Sequence, residues 1–352
     1  MSRYRELALN ARIAFRPRKP LLTARLARAL TRAWVAPRPY LRYVDFAIDF
    51  ACNLKCEHCF ATVLEHPGER RMEPEDYARV AREAMRLGAV NFSFQGGEPL
   101  AIKRLDDIVR ACRPSMNLIS VTTNGTLLNP TTVQRLKRLG VDILTVSLDS
   151  AIAAEHDAFR GLPGTFDKAL AGIRLARRNG IAVNLGTVVT HQTLHSEGIL
   201  GLVQMAQDMK LLLYLILPVP AGKWRENRDM MLTDEDIAYI DGLTRRSPYI
   251  RTDFQANLGP HGCGAAKEIL YLTPYGEVLT CPFLHISFGS IFEDSLAAIR
   301  GRALGLPWFD HYHDKCLAST DPEFIERHLS ATFGAERLPV PWEAAFPREA
   351  QR

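Results

Sequence analysis

From residue 43 to residue 217 the chain alternates short apolar runs with amphipathic stretches of helical period. Tyr43-Val44-Asp45-Phe46-Ala47-Ile48-Asp49-Phe50 alternates apolar and polar positions as a half-buried strand does. A helix is expected over 73–87, opening at Glu73-Pro74. Strand 90–94, helix 102–112, strand 118–123, helix 130–139 and strand 142–148 follow, then helix 166–179, strand 181–189, helix 196–208 and strand 211–217. Six strand–helix steps of this kind predict an α/β fold on a parallel sheet with right-handed crossovers. Every polar or Gly-rich motif falls at a strand's C-terminal end, which in parallel sheets and barrels is the ligand-binding edge. Periodicity alone leaves a closed barrel and an open sheet both standing. Pro218-Val219-Pro220-Ala221-Gly222 marks a break, 232–245 reads as one more helix, 249–260 as a linker, and 262–318 as a second module. The expected organisation is an arm over 1–42, a main domain over 43–250, a small module over 251–320 and a C-terminal tail over 321–352.

At 352 residues the chain can bury a large core, and its composition is that of an ordinary globular protein. The most apolar run, 211–219, is strand-sized, so no membrane span is expected. The net charge of +5 is unevenly placed: residues 1–42 carry eleven basic residues against Glu6, a net +10, which leaves −5 on the rest. Leu22, Leu26, Leu30 and Ala33 repeat at helical spacing, with Arg25, Arg28 and Arg32 on another face. Tyr4, Leu7, Ala11 and Phe15 suggest an earlier amphipathic turn. A basic amphipathic helix can lie on an anionic membrane surface or pack on the main domain with a solvated face, and an Arg-rich start also suits a transit peptide. These readings stay open, so the expected location is the cytoplasm, with peripheral attachment to the inner membrane surface as the variant. No nucleic-acid-binding module is recognised, and no nucleic-acid partner is expected.

The chemistry sits in Cys52-Asn-Leu-Lys-Cys56-Glu-His-Cys59, directly after the first strand. Soft thiolates select Zn, Cu(I) or iron–sulfur clusters, and fully protein-bound clusters usually take four Cys. Three thiolates so close together can hold three irons of a [4Fe–4S] cube and leave the fourth without a protein ligand. Half of a zinc site is the alternative. A disulfide framework fits poorly, because seven Cys is an odd count, the chain is long and no secretory leader is expected; free thiols and a labile cluster imply a reducing compartment. The C-x3-C-x2-C pattern resembles the signature of the radical S-adenosylmethionine (SAM) enzymes, in which SAM chelates the open iron. The resemblance implies a partial (β/α)6 barrel. It also implies that Gly96-Gly97-Glu98-Pro99, one strand after the cysteine loop, binds the methionyl amino group of SAM. Thr123-Asn124-Gly125 and Ser147-Leu148-Asp149 end the next two strands; their polar side chains could meet the ribose and carboxylate of SAM, or cap the following helices. His156-Asp157-x-x-Arg160-Gly161 resembles a segment of the peptide-modifying branch, with Arg160 a candidate contact to the SAM carboxylate and a surface ion pair the alternative.

In the second module Cys263, Gly276 and Cys281 flank 269–279, which reads as a hairpin turning at Pro274-Tyr275-Gly276. This resembles the C-x12-G-x4-C opening of the SPASM/twitch extension, which holds auxiliary iron–sulfur clusters, with a helix expected over 287–300. Only Cys316 remains downstream, so the shorter, one-cluster twitch form is implied, a β-hairpin and helix holding a second [4Fe–4S] cluster. Its fourth iron stays open for substrate or takes a non-Cys ligand, with His261, His285, His311, His313 and Asp314 as candidates by sequence proximity. Cys112 ends a helix and reads as a small buried hydrophobe. The implied reaction is one-electron reductive cleavage of SAM to a 5′-deoxyadenosyl radical that abstracts hydrogen from an unactivated C–H. It needs an external electron donor such as flavodoxin or ferredoxin. A small metabolite (a sugar, an amino acid or a tetrapyrrole-like precursor) is the expected substrate, with lipid-linked and peptide substrates as alternatives. The rival from another class is a non-catalytic iron–sulfur or SAM-binding protein.

Overall fold

The computed structural model describes residues 19–35, 40–225, 227–253 and 262–347. Helix α1 is Pro20–Val35, then β1 Tyr43–Asp49, α2 Pro74–Leu87, β2 Asn91–Gly96, α3 Leu105–Ala111, β3 Leu118–Thr123, α4 Pro130–Leu139 and β4 Ile143–Ser147. Helices α5 Ala153–Arg160 and α6 Thr165–Arg178 lead to β5 Ala182–Val188, α7 Glu197–Met209, β6 Leu212–Ile216, α8 Asp234–Arg246 and β7 Ile250–Thr252. The remainder is β8 Ile269–Leu272, β9 Glu277–Leu279, β10 Ile286–Ser290, α9 Leu296–Leu304, α10 Pro322–Arg327, β11 Val340–Pro341 and α11 Trp342–Ala345.

Local sequence accounts for the helix boundaries. Helix α2 opens with Pro74 at its first position and a reciprocal Glu73/Asp76 capping box, and ends at Gly88 with φ 116°. Its buried stripe is Tyr77, Val80, Ala81 and Ala84. Strands β1 to β7 run parallel in chain order. Their helix-facing positions form the core: the Phe46 ring lies 5.9 Å from Phe94 and 5.1 Å, edge-on, from Tyr77 of α2. Burial of such rings is the main stabilising term. The opposite face is polar, which is unusual for a parallel sheet. Asp45 lies there fully buried, hydrogen-bonded to Ser93, and burial pushes its carboxyl up to about 7. This polar inner face widens upward into the cavity described below.

The sheet has eleven strands and does not close among the described residues: β7 is one edge and β11 the other. An α/β fold on a parallel sheet was legible in advance; five details differ, the first being that the helix expected over 287–300 begins as strand β10, Ile286–Ser290, and the helix itself is α9, Leu296–Leu304. The expected linker over 249–260 contains β7, which pairs with β6. Residues 153–160, read only as a motif, form α5. The cysteine-bearing hairpin extends the main sheet, because β8 pairs in parallel with the free edge of β1, with Asp45 opposite Tyr271. The segment read as a tail is folded onto that extension: β11 pairs with β10, and Phe346 packs 6.1 Å from Phe288.

Helix α1 is a packed helix for its described side chains. Leu22 is fully buried. Lys19 pairs with Asp142 at 2.5 Å and donates to the Gly140 carbonyl at 2.8 Å. Arg25 donates to the Ala89 and Met116 carbonyls at 2.6 and 3.0 Å. These partners precede β2, β3 and β4, so α1 covers the N-terminal edge of the sheet, opposite the cysteine loop. The earlier turn read at Tyr4 to Phe15 lies outside the described residues. Among the described residues no helix is long and apolar enough to cross a membrane.

The two glycines after β2 explain themselves sterically. Gly96 has φ 127°, and a Cβ there would fall on the Asp49 carbonyl oxygen. A Cβ on Gly97 would fall on the Ala51 carbonyl oxygen, where Gly97 N–H donates to Asp49 O at 2.8 Å and Glu98 N–H to Ala51 O at 3.0 Å. The pair lets the end of β2 lie against the start of the cysteine loop. Gly97→Ala is therefore expected to displace residues 49–52 and lower SAM affinity at least tenfold while the helices remain intact. Calorimetric titration together with far-UV circular dichroism measures both, and unchanged affinity would contradict this reading.

Candidate active site

The cavity at the C-terminal ends of β1 to β6 has a volume of about 240 Å³. Cys52, Cys56 and Cys59 line it together with Gly96, Gly97, Thr123, Asn124, Ser147, Asp149 and Arg160, so ten of the residues singled out from sequence converge. Apolar side chains complete the wall: Phe60, Ile216, Leu217, Val219, Trp224 and Phe283.

The cysteine loop is pinned from three sides. Glu57 N–H donates to Phe159 O at 3.1 Å, and His58 stacks on the Phe159 ring at 4.6 Å and 12°. Burial lowers the His58 imidazole to about 4, with Arg160 adding to the effect, so the ring is neutral at pH 7. Lys223 N–H donates to Cys59 O at 3.1 Å and its Nζ to Cys56 O at 2.8 Å. Gly222 has φ 61°, and a Cβ there would collide with the Phe60 backbone. Asn124 Nδ2 donates to Asn53 Oδ1 at 2.9 Å, and Asn53 Nδ2 to Thr126 Oγ1 at 2.9 Å, tying the loop to the end of β3.

Arg160 is buried, not at the surface. It donates from Nε and Nη2 to Asp149 at 2.5 and 2.9 Å and from Nη1 to Cys56 Sγ at 3.5 Å. Burial opposes the Asp149 charge, but Arg160 outweighs it and holds the carboxyl well below the usual range. Burial likewise pushes the Cys56 thiol up, and Arg160 pulls against it. Asp149 and Arg160 are thus paired with each other, and Arg160 with Cys56, while both line the cavity.

Glu98 makes a different set of contacts. It is buried and does not line the cavity. It accepts from Leu100 N–H at 3.0 Å, Thr123 Oγ1 at 2.8 Å and Asn124 N–H at 2.8 Å. Its role here is to join the ends of β2 and β3, with Pro99 buried beside it starting a short 3-10 turn. Glu98→Ala leaves three buried donors without an acceptor, at about 1–3 kcal/mol each. A lowered Tm is expected together with weaker SAM binding, and lost binding at an unchanged Tm would restore Glu98 as a direct contact.

A second group of thiols lies in the sheet extension. Cys263 N–H donates to His313 O at 2.8 Å, and Ala266 N–H to Thr280 O at 3.2 Å, so the backbone stitches together the segments bearing Cys263, Cys281 and Cys316. Burial raises all three thiols, and the charges of Cys263 and Cys281 both act on Cys316. Among the described residues no three His, Cys, Asp or Glu side chains close around a single ion. A cubane spreads its ligands more widely than one ion does. The hydroxyls of Thr280, Ser319 and Tyr271 are buried with no hydrogen-bond partner among the described residues. Unpaired buried donors are costly, and cluster sulfides are acceptors that would satisfy them. The donor set therefore fits an iron–sulfur cluster at each group of cysteines. His285 is buried against Phe60, with ring centroids 6.3 Å apart, and His311 and His313 face each other at 4.1 Å. Asp314 is exposed, and His261 lies outside the described residues. Cys112 is fully buried at the end of α3.

Sequence reading missed Asn53, Gly222 and Lys223. Gly222 follows a Pro-Val-Pro-Ala break that signalled an irregular loop, but nothing in it pointed back to the cysteines.

The profile of the Radical SAM superfamily matches residues 50–203. The AdoMet-dependent heme synthase of Methanosarcina barkeri is 25% identical over 289 residues, 73% of this chain and 81% of that protein. The PqqA peptide cyclase of Granulibacter bethesdensis is 27% identical over 280 residues, 74% of this chain and 73% of that protein. Streptococcus suis SuiB, solved bound to the precursor peptide SuiA, shares the fold with a TM-score of 0.62 at 18% identity, over 92% of this chain and 79% of that one. The profile match starts two residues before Cys52 and ends inside α7, spanning the strand ends that face the cavity as far as β5. Residues 50–203 thus match the radical SAM superfamily, and the chain is an enzyme similar to the heme synthase and the peptide cyclase over 73% and 74% of its length.

Proposed function

We propose that this enzyme removes hydrogen from an unactivated C–H of a small, carboxylate-bearing metabolite, with a tetrapyrrole-type precursor as the first choice. A [4Fe–4S] cluster would be held by Cys52, Cys56 and Cys59, and a second, of the twitch type, by Cys263, Cys281 and Cys316. Bound together, the first cluster and SAM supply reductive cleavage of SAM and hydrogen abstraction. The chain's own residues position and exclude. Gly96, Gly97, Thr123, Asn124 and Ser147 offer backbone and hydroxyl groups to SAM. Arg160 and Lys223 hold the cysteine loop, and the apolar wall keeps water from the reacting carbon.

One observation carries the reading. Phe60, next to Cys59, meets Phe283, two residues past Cys281, at 5.2 Å edge to face, and both rings line the cavity. A substrate there lies against the first cysteine group, with Phe283 of the second cysteine segment in the same wall, which suits oxidation with the second cluster as electron acceptor. Tyr271 supports this, because on β8 it lies opposite Asp45 of β1, the strand that leads into the first cysteine loop. Lys55 and Lys223 line the same cavity and suit anionic substituents. The heme synthase relative supports the tetrapyrrole class; the peptide cyclase and the peptide-bound fold neighbour favour a peptide as the second reading.

The test is SAM turnover by reconstituted protein with dithionite, with and without iron coproporphyrin or a set of short peptides. Porphyrin-dependent 5′-deoxyadenosine with a matching mass loss on the porphyrin is expected. Stimulation by peptides alone would replace the first reading with the second.

A further inference from the structure

We propose that the N-terminal edge of the sheet, opposite the cysteine loop, is a docking surface for an anionic phospholipid bilayer. The helices run antiparallel to the strands they follow, so the C-terminal ends of α2, α4, α6 and α8 all arrive at this edge. Each ends on exposed basic side chains. These are Arg86 on α2, Lys137 and Arg138 on α4, Arg177 and Arg178 on α6, and Arg245 and Arg246 on α8. Among the described residues none of them is paired with a carboxylate. The carboxylate that α1 meets on this edge, Asp142, is buried and already paired with Lys19.

Cations in a last helical turn offset the helix dipole, which accounts for one such residue per helix. It does not account for α1. The 16 residues of that helix rise ~24 Å. They cross the edge from Gly140, where Lys19 docks, to Ala89, where Arg25 docks. The acceptors of the Arg25 guanidinium are the Ala89 and Met116 carbonyls and the Asn117 side chain, all of them neutral. With Arg28 and Arg86 it lines a cavity of about 280 Å³ between α1 and the end of α2, and the wall holds no carboxylate. Guanidinium groups match the paired oxygens of a phosphate, so the cavity suits a phosphodiester headgroup. Leu21, in the first turn of α1, is 56% exposed at the same edge. An apolar side chain among cations suits the boundary between headgroups and acyl chains. Residues 1–18 join the domain here and add Arg3, Arg5, Arg12, Arg16 and Arg18 against Glu6. A nucleic-acid backbone would meet the charges but offers no place for Leu21. A redox partner docked here would be separated from the cysteines by the length of the strands. The active-site cavity opens at the opposite edge, so docking turns it away from the bilayer, toward soluble substrate.

The experiment measures co-sedimentation of the full, reconstituted chain with vesicles of phosphatidylcholine alone, or of phosphatidylcholine and phosphatidylglycerol in equal parts. Binding is expected only to the anionic vesicles and should weaken as salt rises. Arg28→Gln/Arg86→Gln and Arg177→Gln/Arg178→Gln should each weaken it about 25-fold, at about fivefold per charge. Lys103→Gln/Lys168→Gln removes the same charge from the opposite edge, where α3 and α6 begin, and should bind as the parent does. Leu21→Gln should weaken vesicle binding about tenfold and leave binding to heparin, a soluble polyanion, unchanged. Thermal unfolding is followed for every variant, and an unchanged Tm shows that each chain folds. No binding to anionic vesicles at low salt overturns the proposal, as does binding insensitive to both arginine pairs. An equal loss in Lys103→Gln/Lys168→Gln overturns it too, because net charge alone then drives attachment. Indifference of vesicle binding to Leu21→Gln, with tighter binding to duplex DNA than to vesicles, overturns it in favour of a nucleic-acid surface.

Discussion

Arg160→Met is expected to destabilise the cluster-free protein by about 3–5 kcal/mol, because it strands the buried Asp149 carboxylate. The pair is nearly inaccessible, with side-chain exposures of 9% and 6%. The pH dependence fixes the sign. Asp149 is held below its ordinary value in the folded protein, so its contribution is complete above the unfolded carboxylate value and is lost only as pH falls through the depressed one. In Arg160→Met the same carboxyl, buried without its partner, titrates above its unfolded value. The variant should then gain stability between pH 7 and pH 5, where the parent does not. Urea unfolding at several pH values measures this. The double variant Asp149→Asn/Arg160→Met should recover most of the loss, since it removes both charges. A loss below about 1 kcal/mol, the range of an exposed ion pair, would contradict the buried geometry.

Cys56→Ala should reduce SAM cleavage to background and lower reconstituted iron by about four per chain, as the first cluster loses one of three ligands. Cys56 lines the cavity and accepts a hydrogen bond from Arg160, so its loss also leaves that guanidinium short of a partner. Cys112→Ala is the matched control: that thiol is also buried but sits in the core at the end of α3, and both readouts should be unchanged. Iron analysis and chromatography of 5′-deoxyadenosine settle both variants. Cleavage surviving in Cys56→Ala would remove the cysteine loop from the chemistry.

The elements of the main sheet were legible because they depend on local signals. Strand β1 alternates, α2 announces itself with Glu73-Pro74 and ends at Gly88, and α4 follows an Asn129 cap that accepts from Thr132 N–H at 2.9 Å. The convergence of Cys52, Cys56 and Cys59 with Gly96 and Asn124 was legible for a topological reason, since parallel strands put all their C-terminal ends on one edge. Roles that depend on pairing were not. Nothing in the order of residues says that Arg160 reaches Asp149 and Cys56, or that Glu98 is consumed by Leu100, Thr123 and Asn124. The pairing of β8 with β1 joins strands far apart in sequence, and the hairpin's own pattern gives no register for it.

The account stands most directly on the first cysteine group, and one measurement isolates it. The full chain with Cys263, Cys281 and Cys316 replaced by Ala is reconstituted with iron and sulfide, reduced with dithionite and given SAM. The expected product is brown protein with about four iron per chain that releases 5′-deoxyadenosine and methionine in equal amounts. Protein that takes up zinc in place of iron, or that binds SAM and returns it uncleaved, would contradict the account.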